Sequence, residues 1–362
     1  MPRGTKLSVA SFFAGAGGLD LGFKLAGFEV PWANEYDKTI WETYEANHPE
    51  TELDHRSIVD IKGAEIPKVN GFIGGPPCQS WSEAGSLRGI GDHRGQLFFE
   101  YLRLIESKKP DFFLAENVSG ILFSRHSTAF TSILSGFTEL GYNVSFGLLS
   151  SNDYGVAQVR ERVIIVGYKT SIGKFFSPPP PENYKPVFKD IIWDLKSSAK
   201  PAQDGNKANQ DLNIPNHEYM TGGFSSMFMS RNRVRSWEEP SFTIQAGGRH
   251  APLHPQAPKM LHVGKDQYEF VKGQENQYRR LSVREAARVQ AFPDDFIFHY
   301  KNVVDGYKMI GNAVAVTFAR HLAQQIAKDL ADVDLSRTSR KKGEILRFED
   351  LAADKLQFSN AG

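Results

Sequence analysis

The sequence predicts an α/β protein built on a doubly wound parallel sheet, with a smaller loop-rich domain inserted before the chain returns to the first. Three observations carry this expectation. Over the first 177 residues, short apolar runs alternate with helix-like segments, which is the rhythm of βαβ units. Ser177 is followed by four consecutive prolines, Pro178 to Pro181, and neither a helix nor a central strand can pass through them. Near residue 281 the apolar periodicity resumes, after about a hundred residues rich in Asn, Gln, Pro, Gly and His.

Taken in order, strands are expected at Leu7 to Phe13, Phe28 to Ala33, Gly71 to Gly74, Asp111 to Ala115, Val144 to Leu149 and Val163 to Gly167, each a short apolar run. Helices are expected over 18–26, 37–47, 95–107 and 127–140, with Gly27 and Gly141 where C-caps belong. Leu281 to Gln290 reads as a helix, and Asn312 to Leu330 as a long amphipathic one. The resulting organisation is 1–177 as the α/β domain, 178–280 as a loop-rich insert, 281–330 as a return to the first domain, and 331–362 as a charged, peripheral tail. In such a fold, ligands bind where the strands end at their carboxyl sides, so residues just after those runs carry most weight.

Composition narrows the function. With 40% hydrophobic and 12% aromatic residues the chain can bury a large core, which excludes a disordered protein. Its 43 Lys and Arg balance 42 Asp and Glu, so contact with nucleic acid must come from a local basic patch. A single cysteine can form neither an internal disulfide nor a multi-thiolate metal site, which suits a reducing compartment. No apolar run approaches the ~18 residues of a membrane helix, and the start lacks a signal peptide's apolar stretch, so a cytoplasmic protein is expected.

Several motifs fall at the predicted strand ends. Phe12-Phe13-Ala14-Gly15-Ala16-Gly17-Gly18 follows the first strand, and its glycines admit either a cofactor against free helix N–H groups or a tight strand-to-helix turn. Glu35, twenty positions after Gly15, stands where nucleotide-binding sheets place the acid that accepts ribose hydroxyls. Tyr36 and Phe13 offer flat faces for an adenine ring, and Asp60 either meets the adenine amino group or caps a turn. The lone Cys78 lies in Gly74-Gly75-Pro76-Pro77-Cys78-Gln79, just past a strand end, as a nucleophile or a packing residue. Glu116 ends another apolar strand, as a proton donor or a loop-start hydrogen-bond acceptor. In Gln158-Val159-Arg160-Glu161-Arg162, alternation puts both arginines on one face, able to hold an anion or orient a carboxyl group.

With these residues in place, the chain resembles the DNA (cytosine-5)-methyltransferases. FFAGAGG, NEYD, VDI, GGPPCQSWS, DHRGQLFFE, AENV, QVRER, RRLSVREAARVQAFPDDF and YKMIGNAVAV stand in the family's order from residue 12 to about 318. Within the insert, Ser230 to Arg235, Phe242 to Arg249 and Leu253 to Gln256 resemble the HaeIII-type members, which belong to restriction-modification systems and read GGCC. The resemblance implies a Rossmann-like S-adenosyl-L-methionine-dependent methyltransferase domain with a target-recognition domain. It makes Cys78 the nucleophile and Glu116 the group on the cytosine ring nitrogen, with Arg162 and Arg160 holding the flipped base and placing Glu116. Phe13, Gly15, Gly17, Glu35, Tyr36, Asp60 and Ile61 would bind S-adenosyl-L-methionine, with S-adenosylhomocysteine as the product, and Asn312 and Val314 would close that pocket. Ala315 stands where many members carry proline.

In the insert, Arg231, Arg233 and Arg249 are expected to bond guanines bidentately, the other reading of each being a phosphate contact. His250 and His254 read as packing or phosphate groups, so no metal is expected. The implied partner is double-stranded DNA, methylated by a monomer, with a cognate endonuclease acting on the same site without a stable complex. An RNA cytosine-5 methyltransferase on the same scaffold, a silent DNA-binding relic and a nucleotide-dependent reductase are the alternatives. The insert weighs against the first; Cys78, Glu116 and QVRER weigh against the others.

Overall fold

The computed structural model describes residues 6–77, 96–209, 211–339 and 341–351. Its first half follows the predicted rhythm: β1 (Ser8–Phe12), α1 (Gly18–Leu25), β2 (Glu29–Asn34), α2 (Trp41–Asn47), β3 (Glu52–Asp54), β4 (Gly71–Gly74), α3 (Gln96–Lys108), β5 (Phe112–Val118), α4 (Ser127–Glu139), β6 (Tyr142–Ser150) and β7 (Glu161–Lys169). The chain turns out of α1 and α4 at Gly27 and Gly141, both left-handed, as the predicted C-caps require.

Then come α5 (Phe188–Ile192), the short strands β8 (Lys200–Pro201) and β9 (Glu218–Tyr219), and the hairpin of β10 (Leu261–Gly264) and β11 (Gln267–Glu269). Helices α6 (Val283–Val289), α7 (Val303–Asn312) and α8 (Val316–Leu330) and strand β12 (Ile345–Arg347) follow. The main sheet runs β12-β6-β7-β5-β4-β1-β2-β3. Strand β7 is antiparallel to both neighbours, and the other pairings of this sheet are parallel.

Strand alternation sorts the core onto two faces. Val9, Ile73, Leu114 and Ile164 point to one, against Leu19 and Phe23 of α1 and Phe318, Leu322 and Ile326 of α8. Ala10, Phe72, Phe113 and Ile165 point to the other, against Tyr101 and Leu104 of α3 and Ile133 and Phe137 of α4. Burying each such Phe, Leu or Ile contributes roughly 1.5–3 kcal/mol. Both faces are thereby covered, so the apolar strands need no solvent-facing side.

Past the prolines, the chain serves two cores. Phe188, Ile192, Ile244 and Ala251 pack with Leu281, Phe292, Val303 and Ile310 of the returning segment. Phe228, Val234, Leu253, Ala257, Met260 and Tyr278 form a small core of their own.

Two expectations are corrected. The tail is not merely peripheral: β12 extends the sheet beside β6, with Ile345 to Arg347 opposite Val144 to Phe146, and Phe348 is buried against Phe176. The helix expected from Asn312 to Leu330 begins later, at Val316. Asn312 ends α7, and extended backbone at Ala313 and Ala315 separates it from α8.

Candidate functional site

The carboxyl ends of β1, β2, β4 and β5 surround a cavity of about 530 Å3, lined among others by Phe13, Gly15, Glu35, Glu116, Asn312 and Val314. That volume lies in the range of small-molecule sites.

The turn after β1 is held from below. Gly15, at φ +57°, has nothing within 4 Å of where a Cβ would stand, so its backbone faces open space. Gly17, at φ +85°, sits on His48, whose Nε2 would lie 2.1 Å from a Cβ added there. Under the first turn of α1, Asp20 is fully buried and accepts hydrogen bonds from the Ser11 and Tyr44 hydroxyls. Burial raises its pKa against those two bonds.

His48 is also fully buried. Burial first, and then the Lys24 ammonium, push its pKa down to about 3. Lys24 Nζ lies 2.8 Å from its Nδ1. Buried His254 is likewise pushed down to about 3, chiefly by burial. Both are neutral when folded, and the unfolded chain binds more protons between pH 6.5 and 3. Their contribution is therefore intact above about pH 6.5 and is lost as pH falls toward 3, by at most about 1.4 kcal/mol per pH unit for each. We expect Tm to fall steeply from pH 6.5 to 4.5, and less steeply in His48→Gln. Equal slopes in the two proteins would count against this assignment.

Just past β2, the Glu35 carboxylate accepts the Gly15 N–H at 2.9 Å and the Asp37 N–H at 2.8 Å, while Trp41 Nε1 donates to the Glu35 carbonyl. Burial raises its pKa against these bonds. The N–H donors fix the carboxylate plane and leave lone pairs for two further donors, which is the requirement of a vicinal diol. From the opposite wall, Val314 and Asn312 close the cavity, and the Val314 carbonyl would lie 2.5 Å from a Cβ at Gly18.

At the far end stands Glu116 on β5, buried, its Oε1 2.7 Å from Arg162 Nε. β7 supplies this arginine because its antiparallel register sets Val118 opposite Arg162. The Asn117 amide donates to the Pro76 carbonyl at 2.9 Å, tying the Pro-Pro turn to β5. A Cβ at Gly75 would approach Glu116 Oε2 to 3.3 Å, so this turn lies along the carboxylate. Cys78, the next residue after Pro77, lies outside the described residues.

Other predicted residues are placed differently. Tyr36 is 72% exposed, Asp60 is also exposed, and neither lines the cavity; Ile61 is buried beside it in the core under α3. Arg160 does not share the task of Arg162. It is 2% exposed, and its two terminal nitrogens donate to the carbonyls of Ile244, Gly311 and Ala313. Arg231 and Arg249 are exposed, as base or phosphate contacts require. Arg233 instead turns inward, donating to the Phe228 and Met227 carbonyls. Arg125 and His126, which the sequence did not single out, line the cavity, and Arg125 Nε donates to His126 Nε2. Their signal is only their position nine and ten residues past Glu116.

An α/β sheet of this order, with its reversed strand β7, a glycine turn after β1 and an acid ending β2, is the class I fold of S-adenosylmethionine-dependent methyltransferases. The chain belongs to the C-5 cytosine-specific DNA methylases, whose family pattern matches residues 7–328. It is 56% identical over 330 residues to the type II methyltransferase M.FnuDI of Fusobacterium nucleatum, covering 90% of this chain and 96% of that one. It is 54% identical over 329 residues to M.NgoPII of Neisseria gonorrhoeae, with the same coverage of 90% and 96%. Among solved structures, a putative DNA modification methyltransferase from an E. coli prophage shares the fold, with a TM-score of 0.67 at 22% identity over 90% of this chain and all of that one.

Membership establishes a DNA (cytosine-5)-methyltransferase and, with it, S-adenosylmethionine-dependent methylation of double-stranded DNA. Among the described residues no group of His, Cys, Asp and Glu could hold a metal ion, and no helix is long and apolar enough to cross a membrane.

Proposed function

We propose that the chain methylates carbon 5 of a cytosine swung out of duplex DNA at GGCC. We further propose that it acts as a cytoplasmic monomer and protects that site from a cognate restriction endonuclease with which it forms no stable complex. The observation that carries the chemistry is the buried Glu116–Arg162 pair beside the Gly75–Pro77 turn, at one end of a cavity whose other end holds Glu35.

The residues fit the cofactor at that other end. Gly15 leaves room for a ligand against the backbone, Glu35 would accept the ribose hydroxyls, Phe13 would flank the adenine, and Asn312 and Val314 would cover the group. When bound, S-adenosyl-L-methionine supplies an electrophilic methyl group and leaves as S-adenosylhomocysteine.

Carbon 5 of cytosine is a poor nucleophile, so it must be activated. The Cys78 thiolate attacks carbon 6, forming a C–S bond and moving an electron pair toward ring nitrogen 3. A proton passes to that nitrogen through the Glu116 carboxyl group, which Arg162 fixes by its 2.7 Å contact. The resulting enamine makes carbon 5 nucleophilic. After methylation a base removes the carbon 5 proton, the C–S bond breaks with its electrons returning to sulfur, ring nitrogen 3 gives its proton back to Glu116, and the ring regains aromaticity. None of these atoms is reachable inside a stack, so the base must be extruded, at about a few kcal/mol.

The site reading rests on the resemblance of residues 230–256 to the HaeIII-type pattern, with Arg231 and Arg249 exposed to contact guanine edges. Arg233 joins them only if it exchanges its two carbonyl partners for DNA.

Labelled S-adenosylmethionine offered with duplexes that contain or lack GGCC tests this. Incorporation is expected at one cytosine of GGCC and none in Cys78→Ala. Incorporation at another sequence would discard the site, and incorporation into transfer RNA alone would discard the proposed DNA target.

A further inference from the structure

The geometry points to a clasp: Lys308, on α7, holds Asp37 and so sets how firmly the cofactor end of the cavity is closed. The inference rests on the reading of Glu35 as the acid for the cofactor's ribose. Asp37 is built into the support of that acid. Its N–H donates to Glu35 Oε1 at 2.8 Å. Its own carboxylate accepts the Thr39 N–H at 3.0 Å and the Thr39 hydroxyl at 2.7 Å, and then the Lys308 ammonium.

The partner is equally placed for the task. Met309 adjoins Lys308, and Asn312 lies one helical turn further along the same face; both line the cavity. The end of α7 is anchored elsewhere. Gln290 Nε2 donates to the Ile310 carbonyl, Arg160 donates to the Gly311 carbonyl, and a Cβ at Gly311 would come within 2.3 Å of the Ala246 nitrogen. Among the described residues, the hydrogen bonds from α7 to the stretch from Glu35 to Trp41 all start at Lys308 Nζ. One ammonium group, 271 positions along the chain from Asp37, thus joins the wall carrying Asn312 to the wall carrying Glu35.

Lys308 is therefore a positioning residue for cofactor affinity, touching no reacting atom. Both side chains keep about a third of their surface exposed, so the attraction is screened and several-fold effects are expected rather than loss of binding.

The test is calorimetric titration of S-adenosylhomocysteine into the full chain, with KM for S-adenosylmethionine and kcat measured alongside. Lys308→Met and Asp37→Asn should each raise Kd and KM about three- to fivefold, with kcat at saturating donor held within about twofold. The double variant should be no worse than either single one, added salt should narrow the gap to wild type, and Lys308→Arg should restore binding. Wild-type affinity in Lys308→Met, or strictly additive losses, would overturn the clasp. Glu35→Ala separates the two failures. If it binds as wild type does, the cofactor reading falls; if it binds weakly while Lys308→Met is unchanged, only the clasp falls.

Discussion

Glu116→Gln is expected to lower kcat by about two to four orders of magnitude, with KM for S-adenosylmethionine held within about twofold. Glutamine keeps the shape of the side chain and can still donate a hydrogen bond to ring nitrogen 3. It cannot deliver a proton, so the negative charge pushed onto the ring by Cys78 is left unneutralised. The Arg162 guanidinium, 2.7 Å from Oε1 in the wild type, can still face the amide oxygen, so the pocket should persist. The effect should accordingly appear in the chemical step in single turnover, with equal losses in kcat and in kcat/KM for DNA. A variant within tenfold of wild type would remove Glu116 from proton transfer and leave it a purely structural acceptor.

Arg160→Met should act on stability first. Its guanidinium satisfies the carbonyls of Ile244, Gly311 and Ala313 at 2.9, 2.8 and 3.1 Å, in a place with 2% exposure. The Ala313 carbonyl keeps Gln290 Nε2, but the Ile244 and Gly311 carbonyls lose this donor, and each carbonyl left dry and unpaired costs about 1–3 kcal/mol, so a loss on the order of 2–5 kcal/mol is expected. Lysine cannot replace the fork that reaches three oxygens. Arg162→Met, by contrast, should show its main effect in kcat, with a smaller fall in Tm than Arg160→Met, because Arg162 contacts Glu116 and the Glu161 carbonyl at the cavity rather than three carbonyls at the junction. Thermal unfolding and turnover of the two variants, measured side by side, would separate the roles. Equal Tm values for Arg160→Met and wild type would refute the buttress.

The same pair of arginines marks how far the sequence is legible. Strand ends can be read because apolar runs with turn residues behind them are local signals, so Glu35, just past β2, and Glu116, near the end of β5, are both legible. Which way a long side chain turns is not local. Arg160 and Arg162 share a motif and a parity, yet one faces the junction with residues 244–246 and the other faces Glu116. Arg233 is a similar case, spent on neighbouring carbonyls.

Short or poorly helical elements were hidden for related reasons. β3 and β12 have three residues each, too few to show a period, and β12 sits in a charged tail. α7 carries two glycines and two adjacent valines, which lower helix propensity. Contacts explain both glycines: a Cβ at Gly306 would meet the Tyr300 ring at 2.7 Å, and Gly311 lies on the backbone of Gln245 and Ala246. Tertiary packing therefore outweighs local preference there, and the break at Ala313 that follows is held by Arg160 and Gln290 on its carbonyl.

The proposed reaction turns on a covalent bond between the Cys78 thiolate and carbon 6 of a cytosine held against Glu116. A duplex carrying GGCC, with 5-fluorocytosine replacing each cytosine of the site in turn, tests it directly in the presence of S-adenosylmethionine. Fluorine at carbon 5 cannot leave as a proton does, so elimination is blocked after methyl transfer. A denaturation-resistant protein–DNA complex is expected at one position of the site, mapped by mass spectrometry to Cys78 and missing from Cys78→Ala. Methylation of ordinary GGCC duplexes without any trapped complex, or an adduct on another residue, would contradict it.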